Sequence, residues 1–412
     1  MVGMQQFSPE FFAGNRQRLA AKLDGALIVV AANALVQRSA DTTFPFRQES
    51  NFWYLTGLDE PEYLLVLDPA APDEPFLVMP TWDAHHEQWD GTASVRELKA
   101  TSGIKTILDE TAGWERLRPL IRKHGKVHFN QAHAAYLEIY NFYANPAQVR
   151  AEQRLKEAGA REIINCKVDI ARLRQVKQPC ELDALQSAVD ITAATLDEVR
   201  AKLTAYESEN QVEADIFAGF RRRGATGHAY DPIIASGEHA ATIHYMQNNA
   251  PLDKSRPLLL DVGAANGYYG ADISRTWLYK KPGRRAQAIH DAVMRVYQFA
   301  LSELKPGVMP RAYEKLVDGQ MALELVALKL LDKADNREGF RKYYPHLTSH
   351  FLGLDVHDAA DYDRPLEPGM VLTVEPGIYI PKEELGFRVE DDIVITEDGN
   401  RVLSEKLSRD LF

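Results

Sequence analysis

Two cysteines, Cys166 and Cys180, are all that 412 residues contain. That is too few for a disulfide framework and points to a reducing cytoplasm. No stretch approaches the roughly 20 consecutive apolar residues of a membrane-spanning helix. The opening "MVGMQQFSPEFFAGNRQRLA" carries charge and polarity where a secretion signal needs an apolar block, so no targeting segment is expected. Excess positive charge is missing too: the formal net charge is −11, which argues against a nucleic-acid binder. The short basic runs "RRRG" (Arg221 to Gly224) and "KKPGRR" (Lys280 to Arg285) read as solvated turn or helix-end charge. Low-complexity segments and short-period repeats are absent. What remains is an ordinary globular composition, long enough for about two to three domains.

The first part of the chain alternates strand-like runs ("GALIVVAAN", "YLLVLDP", "FLVMP", "KVHFN") with helix-like ones such as 9–23 and 114–124. That alternation predicts a small α/β domain. A polar, helix-prone stretch follows at 131–158, and then long amphipathic helices begin. Pro179 suits the first turn of one of them, with Glu181 near the positive end of its dipole. Ser208 to Gln211 has the pattern of a capping box and Gly224 that of a helix stop. Further helices are expected at 284–304 and 311–332, with strands at 258–264, 268–277, 370–375 and 387–395. A boundary within 160–176 gives an α/β domain over 1–165. It leaves an α+β domain over 166–412, in which helices cover a curved, mostly antiparallel sheet.

Residues 258–277 read "LLLDVGAANGYYGADISRTW": an aspartate in an apolar run, an Asn-Gly pair, and a second aspartate on the way back. Asn266-Gly267 is a strong signal for a two-residue type I′ hairpin. With those two as the loop, facing residues have numbers adding to 533, and Asp261 lies directly opposite Asp272. Like charges facing each other across a buried ladder destabilise it. Either one carboxyl keeps its proton, or a cation sits between them.

Four other places carry chemistry: "HLTSHFLGLDVHD" with His346, His350 and His357; "TVEPG" with Glu375; "FRVEDDIVIT" with Arg388, Glu390 and Asp392; and "TIHY" with His244. Singly, each has a bland reading. A strand aspartate can be an edge residue, a histidine a hydrogen-bonded core residue, Glu375 a strand stop, and Glu390 part of an exposed face. Together, Asp261, Asp272, Glu375 and Glu390 bring four negative charges and neutral His350 a nitrogen donor, which two divalent cations would balance. Oxygen-rich ligation with one imidazole suits Mn²⁺, Co²⁺, Fe²⁺ or Zn²⁺. A dinuclear centre of this kind holds a bridging water as hydroxide near neutral pH. A calcium site built on the aspartates alone would leave His350 without a role.

The ordered set Asp261, Asp272, His350, Glu375 and Glu390 resembles the five ligands of the "pita-bread" metallopeptidases, which include methionine aminopeptidase, prolidase and aminopeptidase P. The phrases "SHFLGLDVHD", "TVEPGIYI" and "FRVEDDIVIT", with the N-terminal "FPFRQESNFWYLTGLDEPEYLLVLDP", look like aminopeptidase P in particular. The resemblance covers nearly the whole chain and departs at no ligand position. It implies a pita-bread C-terminal domain and two divalent ions, Mn²⁺ foremost. Asp272 and Glu390 would bridge them, Asp261 would complete one shell, and His350 and Glu375 the other.

The implied reaction is release of the first residue from peptides with proline second. A metal-bridging hydroxide attacks, and Glu375 acts as general base. His357 and His244 resemble the family histidines that act on the substrate, and His346 another histidine of the pocket. Arg388 and Tyr379 would support the site from behind; charge-assisted bonds suit Arg388 to holding carboxylates. Asp41 lies where relatives receive the peptide's ammonium group, and Trp89 could supply a wall of the cleft. Their bland readings are a loop aspartate and a core tryptophan, while His85 and His86 read as surface residues. A homo-oligomer, dimer or tetramer, is implied as well. The alternatives are prolidase, which takes only Xaa-Pro dipeptides, and a non-catalytic peptide-binding protein of the same fold.

Overall fold

The computed structural model describes residues 7–83, 88–89, 91–131 and 134–412. The opening six residues and the His85–His86 pair, expected at the surface, lie outside the described residues. The chain forms two compact units, one ending at Arg174 and the other beginning at Gln175.

The N-terminal unit contains strands β1 (Ile28–Ala31), β2 (Gln37–Ser39), β3 (Thr42–Thr43), β4 (Leu64–Leu67), β5 (Phe76–Val78), β6 (Thr106–Leu108), β7 (Lys126–Phe129) and β8 (Glu162–Asn165). Six of them form one mixed sheet in the order β6-β5-β4-β1-β7-β8. Only β4 runs against its neighbours in that sheet. β1, β4 and β5 are buried along their whole length, as continuous apolar strands in a helix-covered sheet should be. The helix expected at 114–124 starts earlier, at Glu110, because the Asp109 side chain accepts from Ala112 N and caps it. The stretch 131–158 is two helices, Ala134–Tyr140 and Pro146–Glu157. Asn141 at φ 53° breaks the first and Asn145 caps the second.

The second unit contains β9 (Gly227–His228), β10 (Ile233–Ser236), β11 (Leu258–Val262), β12 (Ala264–Asn266), β13 (Tyr269–Gly270), β14 (Ile273–Trp277), β15 (Val371–Val374), β16 (Gly377–Ile380), β17 (Leu385–Arg388), β18 (Asp391–Ile395) and β19 (Asn400–Val402). All their ladder pairings are antiparallel. Helices Arg284–Glu303 and Pro310–Ala327 contribute Ile289, Val293, Val296, Tyr313, Val317 and Met321 to the core, against Leu372, Val374, Ile378, Phe387 and Ile393. Pro179 opens the 23-residue helix Pro179–Ala201, and the Glu181 side chain accepts from Gln178 N.

Two expectations fail locally. Ser208 makes no side-chain cap bond to its helix, Glu209–Arg222; its hydroxyl goes to Asn210 Oδ1, and Gln211 Oε1 accepts from Glu207 N instead. The strand expected at 387–395 is two strands, because β17 pairs with β16 while β18 pairs with β15. Val389 and Glu390 sit at that switch, outside either ladder.

Candidate metal centre

The first acidic hairpin differs in register from its expected form. Leu258 faces Trp277, Asp261 faces Ser274 and Asn266 faces Tyr269, so the loop is Gly267-Tyr268. Gly267 at φ 64° is the glycine that a type II′ turn needs at its first central position. The two registers differ by two residues, which leaves every side chain on the same face; apolar alternation therefore could not choose between them. Local contacts do. Asn266 is buried in β12, and buried Tyr269 donates to Glu181 Oε1 at 2.7 Å. The strands also close tightly at Gly263, where a Cβ would stand 1.7 Å from Ala271 O. Asp261 and Asp272 are thus not opposite each other, yet both turn to one point. Tyr230 Oη lies 2.5 Å from Asp261 Oδ1 and 2.6 Å from Asp272 Oδ1.

A second acidic hairpin faces the first. The β15–β18 and β16–β17 ladders share one register, and carrying it through the break puts Glu375 opposite Glu390. Both glutamates sit on the irregular backbone between paired strands. Ser274 Oγ donates to Glu390 Oε2 at 2.6 Å, tying the hairpins together. Asp272 N donates to Asp392 Oδ2 at 3.0 Å, a further tie. His350 precedes the isolated bridge Phe351–Leu372. Asp272, His350 and Glu390 each offer a ligand atom, all within 4.8 Å of one another.

The electrostatics of this cluster are lopsided. Burial pushes the Asp272, Glu375 and Glu390 carboxyls well above the usual range. Neighbouring carboxylates push further, Asp261 on Asp272, Glu390 on Glu375, and Asp272 on Glu390. Burial lowers the His350 pKa, so its ring is neutral at pH 7. His350 Nδ1–H is committed to Phe351 O at 3.1 Å, which turns the Nε2 lone pair towards Asp272 Oδ2 at 3.4 Å and Glu375 Oε1 at 3.5 Å. A lone pair facing carboxylate oxygens is repulsive unless something positive lies between them. The donor set, four carboxylates and one imidazole whose other nitrogen is fixed by a backbone carbonyl, fits divalent ions.

Arg388 lies under the cluster. It donates from Nη2 to Asp261 Oδ2 at 2.5 Å, from Nε to Ser274 Oγ at 2.7 Å and from Nη1 to Tyr379 Oη at 2.8 Å. Tyr379 Oη in turn meets His346 Nε2 at 2.8 Å, while His346 Nδ1 meets Leu347 O at 2.7 Å. Burial and the positive Arg388 hold the His346 pKa down to about 3. His357 packs its ring edge-on against His350, with centroids 4.3 Å apart. Desolvation, with the nearby His350 and His244, lowers its pKa to about 4. His244 is exposed, in the loop after the short helix Gly237–Ala241.

Two remaining candidates belong to the N-terminal unit. Asp41 is exposed at the turn between β2 and β3. Trp89 is 74% exposed, so it is not a core tryptophan. Sequence reasoning missed Tyr230 and Ser274, which hold the carboxylates in place, and flagged Asp392 only alongside Arg388 and Glu390 in its phrase. Tyr230 carries no motif that would have singled it out. The Glu375–Glu390 pairing, by contrast, could have been read from the hairpin-like spacing of "TVEPGIYI" and "GFRVEDDIVIT".

Comparison with known proteins agrees with this geometry. The family description "Metallopeptidase family M24" matches residues 183–397, and "Aminopeptidase P, N-terminal domain" matches 12–128. The chain is 32% identical to the Xaa-Pro aminopeptidase of Escherichia coli, over 97% of this chain and 96% of that one. It is 32% identical to human Xaa-Pro aminopeptidase 3, over 93% of this chain and 79% of the relative. Zinc-substituted E. coli aminopeptidase P, solved in complex with product, superposes with a TM-score of 0.84 at 30% identity, covering 98% and 97% of the two chains. Proline aminopeptidase P II from Yersinia pestis superposes at 0.83, also 30% identical, covering 98% of each chain. With a family match over more than half its length and relatives of this identity along nearly all of it, the chain belongs to metallopeptidase family M24.

Proposed function

We propose that this protein is a dinuclear metal-dependent aminopeptidase that releases the first residue from peptides carrying proline in second position. One observation carries the reading: the Nε2 lone pair of His350 and the oxygens of Asp272 and Glu375 converge within 3.4–3.5 Å. In this reading Asp261, Asp272, His350, Glu375 and Glu390 hold two divalent ions, with Mn²⁺ the foremost choice. Bound there, the ions supply Lewis acidity at the scissile carbonyl and make water a competent nucleophile near neutral pH.

The chain's own groups do the rest. Glu375, between His350 Nε2 and His346 Nδ1, takes the proton of the attacking water on a carboxylate oxygen and passes it towards the leaving nitrogen. Proline's nitrogen has no hydrogen and its ring fixes φ near −65°. The pocket therefore has to grip shape rather than a backbone N–H. Neutral His357 and exposed His244 offer N–H donors to the carbonyl and to the leaving side. His346 has both nitrogens engaged inside the protein, so it serves the ring as a wall. Asp41 and Trp89 are proposed for the amine end of the peptide, in a homo-oligomer working in the cytoplasm.

The test is hydrolysis of Ala-Pro-Ala and Ala-Pro by chelator-treated protein, before and after Mn²⁺ is restored. Metal-dependent cleavage of the tripeptide is expected. Cleavage of the dipeptide alone would make the protein a prolidase, and no cleavage of either with metal bound would refute the peptidase reading.

A further inference from the structure

His244 is reached by a long loop with little regular structure. Only the short helix Gly237–Ala241 interrupts the path from the end of β10 to Ala250. Loops of this kind wander unless their backbone is tied down, because each free residue retains about 1–2 kcal/mol of conformational entropy. Asn248 ties the far part of this one to Ile234 N and Pro232 O, and four further contacts end on Glu209, the first residue of helix Glu209–Arg222 and fully buried. Glu209 Oε1 accepts from Ser236 N at 2.9 Å and lies 3.1 Å from His239 Nδ1. Oε2 accepts from Tyr245 Oη at 2.7 Å and from Ala250 N at 2.9 Å.

Those contacts grip the loop where it starts, where it ends, and at the residue directly after His244. Glu209 N adds a bond to Ala250 O at 3.0 Å. The His239 ring stacks on Tyr245 at 4.2 Å, closing the cluster. The loop's short helix in turn lies against β17, where a Cβ at Gly386 would stand 1.8 Å from Ala240 O. β17 ends in Arg388, so the loop and the centre are set against one strand. Ala240 and Tyr245 of the loop also pack in one buried cluster with Tyr379, whose hydroxyl meets His346 Nε2 at 2.8 Å. A carboxylate with four donors at a helix N-terminus is also favourably placed by the helix dipole.

We propose that Glu209 is a positioning residue for the peptidase reaction, acting through His244 by holding the loop 236–250 in the one geometry that sets this imidazole beside the centre. This rests on the functional reading above, in which His244 serves the leaving side of the substrate.

The test compares Glu209→Gln, Tyr245→Phe and His244→Ala, singly and in pairs with His244→Ala, in the Mn²⁺-loaded full chain. Glu209→Gln keeps the side chain's shape but presents an amide N–H₂ to donors that need an acceptor. Tyr245→Phe deletes one contact and is the milder change. Readouts are kcat and KM on Ala-Pro-Ala, metal content, and amide hydrogen exchange. Glu209→Gln should lower kcat by about tenfold or more and Tyr245→Phe by about fivefold, the worth of one net hydrogen bond. KM and metal content should hold, and faster exchange should be confined to 236–250. In the His244→Ala background either change should cost less than about twofold, since coupled residues are not additive.

Full additivity with His244→Ala, unchanged kcat in a folded Glu209→Gln protein, or a loss that follows metal content would each overturn the proposal. Should the wild-type protein itself fail to cleave the tripeptide, the functional reading falls. Exchange then judges the anchor separately: unchanged protection of 236–250 in Glu209→Gln overturns it, and a confined loss of protection supports it.

Discussion

Replacing Arg388 by Met isolates the electrostatic problem at the centre of this protein. Arg388 is only 2% exposed and its side chain gives three hydrogen bonds, to Asp261, Ser274 and Tyr379. Its Nε is also 3.8 Å from Glu390 Oε2. Methionine fills similar space and supplies none of this. Breaking a buried ion pair from one side costs about 3–5 kcal/mol, because the partner charge stays buried without compensation. In units of roughly 150–250 residues each kcal/mol moves Tm by about 2–4 °C, so chelator-treated R388M should melt about 6–20 °C below the wild type. In the proposed metal centre, divalent ions would supply positive charge to the same carboxylates. They add RT ln(1 + [L]/Kd) to stability, and the gap should narrow when excess Mn²⁺ is present. The assay is thermal unfolding by circular dichroism at one scan rate, with chelator and with Mn²⁺. A gap under about 2 °C in chelator, less than a single kcal/mol is worth, would show that the guanidinium does not offset the carboxylates. A gap of equal size in both conditions would show that metal does not act on the same charges.

Other substitutions separate the roles of individual side chains. Asp261→Asn should lose bound metal and peptidase activity together while circular dichroism stays native; normal turnover would contradict its place among the ligands. His357→Ala should keep its metal and lose about 10²-fold or more in kcat, as loss of a donor to the developing oxyanion does; metal loss measured by elemental analysis would exchange its role with that of His350. His228 tests pH dependence away from the centre. Its ring is held by Phe217 and Phe220, neither ring nitrogen has a hydrogen-bond partner, and burial lowers its pKa to about 4. Its neutral form is the one the fold accepts, so the stability tied to it is complete above the unfolded pKa near 6.5 and is lost as pH falls towards about 4. His228→Leu should therefore gain on the wild type by about 3 kcal/mol between pH 7 and pH 4, at 1.36 kcal/mol for each pKa unit; a pH-independent difference in chemical-denaturation midpoints would refute this.

The sequence made the acidic residues visible and left their scaffolding hidden. Asp261 and Asp272 could be found because Asn-Gly marks a hairpin and period-two alternation fixes which face each residue occupies. The same alternation could not distinguish registers two residues apart. The deciding contacts, Tyr269 with Glu181 and the close approach at Gly263, involve a helix far along the chain and a missing side chain. Glu390 looked like part of a continuous strand, since nothing local in "FRVEDDIVIT" shows that its two halves pair in different sheets. Ser208 failed as a cap because Glu209 turns inward to the loop 236–250, a tertiary demand that outweighs a local hydrogen-bond pattern. Tyr230 had no legible signal at all: a lone tyrosine acquires its meaning only when two distant carboxylates meet at its hydroxyl.

The relay from Arg388 through Tyr379 and His346 to the carbonyl of Leu347 has a polarity of its own. It starts at a guanidinium, which can only give hydrogens, and stops at a backbone oxygen, which can only receive them. Every hydrogen along it is spoken for in one sense, so the tautomer of His346 is fixed and the tyrosine proton has a single resting place. Such a chain is a permanent dipole, and its guanidinium end rests on Asp261. The imidazole of His346 is thereby held in one orientation before any substrate arrives.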